Sequence, residues 1–212
     1  MELTENLHEK KTKIKNAGLV TVGIFGGLAT GIVAIAMPFV WPAFRKIVLP
    51  YVPATSTQIE NVIQALRYHR PDLKKADRFR MIDLGSGDGR IVIECAKRLM
   101  IEAHGVELNP WLVLYSKYQA YKANVHPLVS FRRKNLFKVD LADYDKIVIF
   151  GVDSLMPLIE TKTQSDCDKR KKEVTVIACR FPLPNWKPFA SFGTGIDQVW
   201  LYRYYPSYVD KH

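Results

Sequence analysis

The chain has 212 residues, 48% hydrophobic and 25% charged, which excludes an intrinsically disordered polypeptide and allows one domain with an appendage. Its net charge of +10 suits an anionic partner (nucleic acid, an anionic membrane surface or an acidic protein), or no more than a solvated basic surface. Cys95, Cys167 and Cys179 form no CxxC pair and the five histidines no HExxH cluster. A disulfide framework and a zinc site are therefore excluded, the thiols are expected to be reduced packing residues, and no metal is expected.

Residues 1–16 form a basic tail, with Lys10, Lys11, Lys13 and Lys15 at its end. Glu2, Glu5 and Glu9 and the lack of arginine make it a poor transit peptide, so organelle targeting would use the apolar segment that follows. From Ala17 to Phe44 no side chain is charged. A bilayer-spanning helix needs roughly 20 apolar residues. Ala17–Met37 supplies 21 uncharged ones before Pro38 and Pro42 interrupt the helix. Basic flanks on both sides (Arg45 and Lys46 follow) leave the orientation open. Three readings compete. A cleaved signal would use Ala34-Ile35-Ala36, but its apolar core should be only about 7–15 residues. A buried core helix would show a polar face, whereas a membrane anchor accounts for the length, the flanks and the missing polar face. Gly23, Gly27 and Gly31, four apart, fall on one helical face in the small-xxx-small pattern of helix self-association in lipid.

Pro50 and Pro53 then hold the chain extended. Thr55-x-x-Gln58 resembles a capping box, and Ile59, Val62, Ile63 and Leu66 predict an amphipathic helix from Ser56. From Arg80 the order is strand RMIDL, loop GSGDG and helix RIVIECAKRLM. Strand AHGVEL follows, with Asn109-Pro110 opening helix WLVLYSKYQAYKAN. VSFRRK and KIVIFGV read as strands, Ser154–Lys171 as a polar helix and VTVIACR as a fifth strand. After FPLPNWKP, SFGTGIDQVWLYRYY reads as two strands about a glycine turn. The alternation predicts a parallel sheet with helices on both faces, and the closing hairpin makes it mixed, with an antiparallel edge.

Chemistry concentrates in Asp83-Leu84-Gly85-Ser86-Gly87-Asp88-Gly89. The glycines let the backbone turn sharply, and the next helix points free N–H groups at whatever lies there. Glu107, 22 positions after Gly85 at the tip of the second strand, is placed to take a ribose diol in two hydrogen bonds. The spacing is GxGxG rather than the GxGxxG of dinucleotide enzymes, and no GK[ST] follows. A carboxylate just before the loop would repel a pyrophosphate and welcome a cationic amino acid or sulfonium. S-adenosylmethionine is therefore favoured over a phosphate-bearing cofactor.

With these motifs in place, the chain resembles the seven-β-strand methyltransferases, and within them the mitochondrial lysine methyltransferases of the ATP synthase c-subunit and adenine nucleotide translocase type. The resemblance rests on MPFVWPAFRK, LPYVPATSTQIENV, IDLGSGDGRIVI, ELNPWLVLYS, VIFGV and IACRFPLPNW, and it leans toward the c-subunit type. It implies a Rossmann-like seven-β-strand sheet at 80–212, a linker and helix at 45–79, and one transmembrane anchor at 17–44 in the mitochondrial inner membrane, not cleaved. It also implies that Asp83, Gly85, Ser86, Gly87, Asp88 and Gly89 hold the methionine part of the cofactor and Glu107 its ribose. Asn109, Asn135 and Leu136 join them, with Asn135 at the adenine contact. Tyr51, Pro53 and Thr55 would close over the cofactor and substrate entrance. Gly151 and Val152 would line the place of methyl delivery, and Arg180, Pro182 and Trp186 would flank the target lysine. For Arg180 and Trp186 a salt bridge and a hydrophobic lid are equal alternatives.

No residue stands out as a general base. FGVD follows the fourth strand, where enzymes of exocyclic base amines carry [DNS]PP[YF] and RNA cytosine-C5 enzymes a Pro-Cys. The basic clusters KKTKIK, Lys74–Lys75, FRRK and DKRKK lack the interleaved aromatic residues of single-stranded nucleic-acid grooves. The expected partner is thus a membrane-embedded protein, the c-subunit or the translocase, with the lipid bilayer itself contacted through 17–44. An RNA or small-molecule methyltransferase and a non-enzymatic membrane adaptor remain as alternatives.

Overall fold

The computed structural model describes residues 25–28, 30–32, 52–68 and 79–206. The chain divides into two compact units, Met1–Val48 and Leu49–His212. In the first, residues 25–28 and 30–32 are helical, and Thr30 Oγ1 donates to the Gly26 carbonyl at 2.7 Å. The remainder of the expected anchor, Gly23 included, lies outside the described residues. Among the described residues no helix is long and apolar enough to cross a membrane.

The second unit is built on a seven-stranded sheet in the order β3-β2-β1-β4-β5-β7-β6. Its strands are β1 (Arg80–Leu84), β2 (Glu102–Glu107), β3 (Val129–Arg133), β4 (Lys146–Phe150), β5 (Val174–Cys179), β6 (Ala190–Phe192) and β7 (Val199–Tyr204). The pairings among β1–β5 are all parallel, and β7 runs antiparallel to both β5 and β6. Helices α1 (Ser56–Tyr68), α2 (Arg90–Leu99), α3 (Pro110–Lys122) and α4 (Met156–Arg170) cover the sheet. Successive strand side chains point to opposite faces, which splits the core in two. Met81, Phe131, Val148, Ile177 and Leu201 pack with Val62, Ile63 and Leu66 of α1, Val92 and Ala96 of α2, and Val113 of α3. Ile82, Leu84, Ile147, Ile149, Val176 and Tyr202 pack with Met156 and Ile159 of α4. Every residue of β5 is buried, as a central strand covered on both faces requires.

One local expectation needs correction. Thr55 Oγ1 does cap α1, accepting from Gln58 N at 3.0 Å, but the return arm of the capping box is not made. The buried Gln58 side chain instead donates to the Ile196 carbonyl at 3.3 Å, and Asn61 donates to the Asp197 carbonyl at 2.9 Å. These bonds satisfy buried amides and tie α1 to the turn before β7. That turn carries Gly193 and a 3-10 segment, Gly195–Asp197, and is the glycine turn expected between the last two strands.

Candidate active site

Parallel strands bring the ends of β1 and β2 together at one edge, where open α/β sheets place their ligands. The loop after β1 is pinned there because Gly85 N and Ser86 N both donate to the Val106 carbonyl, at 2.9 and 3.0 Å. Gly89 has φ +80°, and a Cβ on it would lie 2.7 Å from the Phe131 ring and 2.8 Å from Ser116 Cβ, so only glycine lets the loop enter α2. Gly105 of β2 has the same role beneath the loop, since a Cβ there would lie 2.6 Å from Ser86 Oγ. Ser116 supports the loop from α3: its hydroxyl lies 3.1 Å from the Gly87 carbonyl and 2.8 Å from that of Leu112.

Asp83 is the chemical centre of this edge. It is 1% exposed, and its Oδ1 has no hydrogen-bond partner in the protein; neither does the buried Ser86 Oγ. Burial, then the negative charges of Glu107 and Asp88, push its pKa up to about 8. Leaving such acceptors unmet costs roughly 1–3 kcal/mol each, a cost that a ligand's donor removes. Glu107 is already engaged. Its Oε1 accepts from Leu108 N at 2.7 Å and Asn109 N at 2.8 Å, and its Oε2 from Gly87 N at 3.2 Å. Three of about four acceptor positions of the carboxylate are thus filled, so a diol would take the last one and displace the long Gly87 contact for the other.

The remaining expected residues fall into four groups. Asn109 and Asn135 stand beside Glu107: Asn109 caps α3 by accepting from Trp111 N, Asn135 Oδ1 accepts from Phe137 N at 2.9 Å, and Lys134 N donates to the Glu107 carbonyl at 3.1 Å. Leu136 is half-buried against the second core. Pro53 and Thr55 are exposed, with Thr55 Oγ1 donating to Asp197 Oδ1 at 2.6 Å. Gly151 is buried and Val152 half-buried beyond β4, and a Cβ on Gly151 would meet Met156 Sδ at 3.3 Å. Arg180, with φ +71°, follows β5 and donates its N–H to the Gln198 carbonyl at 2.9 Å, while Pro182 is exposed. Tyr51 lies outside the described residues.

Asp88 pairs with Arg90, at 2.6 Å to the Arg90 guanidinium, which holds it in the loop where the cofactor is expected. One assignment is corrected. Trp186 stacks on Tyr204 with ring centroids 4.9 Å apart, and Tyr204 pairs with Val174 at the start of β5. That is about 16 Å down the strand from the catalytic edge, so the structure does not bring Trp186 to the site. The loop after β5 descends before β6 begins, which the linear sequence does not disclose. Sequence reasoning also missed Arg90, which binds Asp88 and donates to the Ala54 carbonyl at 2.8 Å, clasping the 53–55 segment to the glycine loop. Its position as the first helical residue after GDG was the available signal. Among the described residues no group of three or more histidine, cysteine, aspartate or glutamate side chains could hold a metal ion.

A buried carboxyl whose Oδ1 no protein donor meets suits a cationic ligand and disfavours a pyrophosphate. It sits at the crevice of a sheet whose single reversed strand is β7, and in this the fold and the site define an S-adenosylmethionine-dependent methyltransferase. Comparison with known proteins agrees. A family model described as the ANTKMT methyltransferase domain matches residues 83–190, and one described as the N-terminal domain of the ATP synthase c-subunit lysine N-methyltransferase matches residues 11–45. The ATP synthase c-subunit lysine N-methyltransferase of Mus musculus is 45% identical over 94% of this chain and 76% of its own. The adenine nucleotide translocase lysine N-methyltransferase of Mus musculus is 41% identical over 76% of this chain and 67% of its own. An RNA methyltransferase from Salinibacter ruber, crystallised with S-adenosyl-L-homocysteine, shares the fold at TM-score 0.61 and 23% identity, over 76% of this chain and 98% of its own. The chain belongs to the ATP synthase c-subunit lysine N-methyltransferase family.

Proposed function

We propose that the chain transfers methyl groups from S-adenosylmethionine to a lysine of the ATP synthase c-subunit in the mitochondrial inner membrane. The observation that carries the cofactor half of this reading is the buried Asp83 Oδ1, an acceptor that no donor of the protein meets. The substrate half is supported by the family and by FGVD in place of a base-amine motif after β4. In this reading residues 1–16 are a basic tail, 17–44 an anchor, 45–79 a linker and helix, and 80–212 the catalytic domain. The exposed apolar side chains Phe25, Leu28 and Ile32, spaced by three and four positions on one helical face, support an anchor.

The bound cofactor supplies an electrophilic methyl on a sulfonium. Around it the chain's own groups act as binders and aligners. Asp83 accepts from the cofactor's ammonium, and Glu107 from a ribose hydroxyl. The glycines at 85, 87 and 89 would let the backbone approach the cofactor closely, Ser86 would offer its unmet hydroxyl, and Asn109, Asn135 and Leu136 would lie beside the adenine. Gly151 and Val152 lie where the lysine nitrogen would arrive, with Arg180, Pro182, Pro53 and Thr55 around the opening. The lysine must arrive neutral, which at pH 7 costs roughly 4–5 kcal/mol from a free pKa near 10.4. A dry channel next to a cationic sulfonium disfavours the ammonium form and offsets part of that. Alignment supplies the rest of the acceleration, and bulk water takes the proton.

The test is incubation of the purified full-length chain with radiolabelled cofactor and mitochondrial membranes. Label on the c-subunit, lost with Asp83→Ala, is expected. Label on RNA alone would overturn the reading, and label on the adenine nucleotide translocase instead would move the substrate to that of the sibling enzyme.

A further inference from the structure

The buried stripe of α3 is Val113, Ser116 and Ala120. At about 100° per residue, Trp111, Leu114, Tyr115 and Tyr118 fall on the side opposite to it. A helix on a globular domain carries polar residues there, yet these four are 42%, 59%, 47% and 60% exposed. Leu108, after β2, and Phe137, after β3, extend the patch at 42% and 38%. Both lie at the same edge as Glu107, and Lys134 N bonds the Glu107 carbonyl. The charge is as one-sided as the apolarity. Between residues 108 and 139 stand Lys117, Lys122, Arg132, Arg133, Lys134 and Lys138, and no aspartate or glutamate. All six are exposed. α3 packs on the edge strand β3, whose Phe131 and Arg133 lie on the α3 side while Arg132 lies on the other, so the aromatic side chains and the basic ones other than Arg132 share one flank of the catalytic domain.

We propose that this flank of the catalytic domain is a docking surface for an anionic bilayer. α3 would lie in the headgroup plane, with Leu114 and Tyr118 towards the acyl boundary and the lysines and Arg133 on lipid phosphates. Tryptophan and tyrosine settle at membrane–water interfaces because they join an apolar body to a polar tip. A helix with basic neighbours and this outer face binds in the interface plane, and each basic residue near an anionic surface adds to the attraction. A single-stranded nucleic acid would also meet basic and aromatic side chains, but its bases stack within a groove, whereas these residues stand on the outer side of a helix among leucines. The inference rests on the membrane-substrate reading above for the choice of membrane, and it gives that reading a geometry. Because α3 runs antiparallel to the strands it connects, the edge that holds Asp83 and Glu107 would open sideways along the headgroup layer, where lysines at the ends of membrane helices reside.

The three native cysteines are buried, so the full-length chain can carry a single reactive thiol. Leu114→Cys and, as control at the β6/β7 end, Lys187→Cys are each labelled with a polarity-sensitive fluorophore. Each is mixed with phosphatidylcholine vesicles with and without cardiolipin, doped with a nitroxide-lipid quencher. The label at 114 should be quenched at least about threefold more than that at 187. The difference should require cardiolipin and fall by at least about tenfold in apparent affinity with Lys117→Glu and Lys122→Glu together. If the chain floats with vesicles while 114 is quenched no more than 187, the docking surface is refuted and the anchor reading stands. If the chain does not float at all, both fail. Protection of the 114 label by single-stranded RNA without lipid would assign the face to nucleic acid and overturn the proposal.

Discussion

Asp83 offers the sharpest quantitative test. In the unfolded chain its carboxyl titrates near its ordinary value of 3.8, and in the fold at about 8. Across that window the folded state holds one proton more than the unfolded state. Its contribution to stability is therefore present below pH 4 and lost progressively as pH rises, at about 1.4 kcal/mol per unit. Summed from pH 4 to 8 this approaches 5 kcal/mol, a large share of the stability of a small domain. Asp83→Asn removes the titration, so its stability relative to wild type should climb over the same window in cofactor-free denaturant unfolding. The same substitution should weaken cofactor binding by roughly a hundredfold or more, because the ligand's cation then lacks its counter-charge. At pH 7 the wild-type carboxyl must ionise to pair with that cation. Calorimetry in buffers of different ionisation enthalpy should then show close to one proton released per cofactor bound, declining towards none above pH 9. Zero proton release at pH 7, with Asp83→Asn binding cofactor within about twofold of wild type, would refute the reasoning.

Other consequences follow from single contacts. Arg90→Met breaks the clasp between Asp88 and the Ala54 carbonyl, and cofactor affinity measured by calorimetry should fall about tenfold with the fold retained by circular dichroism. Gly89→Ala forces a Cβ into Phe131 and Ser116 at a positive φ, so unfolding should show a loss of about 2–4 kcal/mol and cofactor binding should vanish with it. Trp186→Ala loses the stack on Tyr204 and should cost about 1–3 kcal/mol in stability while leaving the KM for the protein substrate unchanged. Burial pushes the Cys167 thiol up to about 12 and raises the Cys95 and Cys179 thiols as well, so none should react with a maleimide at pH 8 until the chain unfolds.

Most of the architecture was legible in sequence, because the central strands are short apolar runs buried on both faces and the turns between elements are punctuated by glycine, proline and asparagine. The glycine loop and Glu107 were legible as a site because their roles depend on backbone geometry that spacing encodes. What escaped were long-range pairings. Nothing local says that Gln58 must satisfy Ile196 rather than close its own helix cap, or that Arg90 reaches back to Ala54. Trp186 sits in a loop of the right family pattern, yet the descent of that loop along β5 carries it to the far end of the strand. The outer face of α3 was hidden for a different reason. The packed side of α3 is small (Val113, Ser116, Ala120) and its outer side large and aromatic, the reverse of the usual amphipathic pattern, and only burial separates the two.

The central claim, methyl transfer to a lysine of the c-subunit, is tested most directly by intact-mass analysis of that proteolipid. The measurement uses cells lacking this chain and the same cells supplied with wild type or with Asp83→Asn. The account predicts a c-subunit lighter by one or more methyl groups in the deficient cells, restored by the wild-type chain and not by the variant. A c-subunit of the same mass in all three would contradict it.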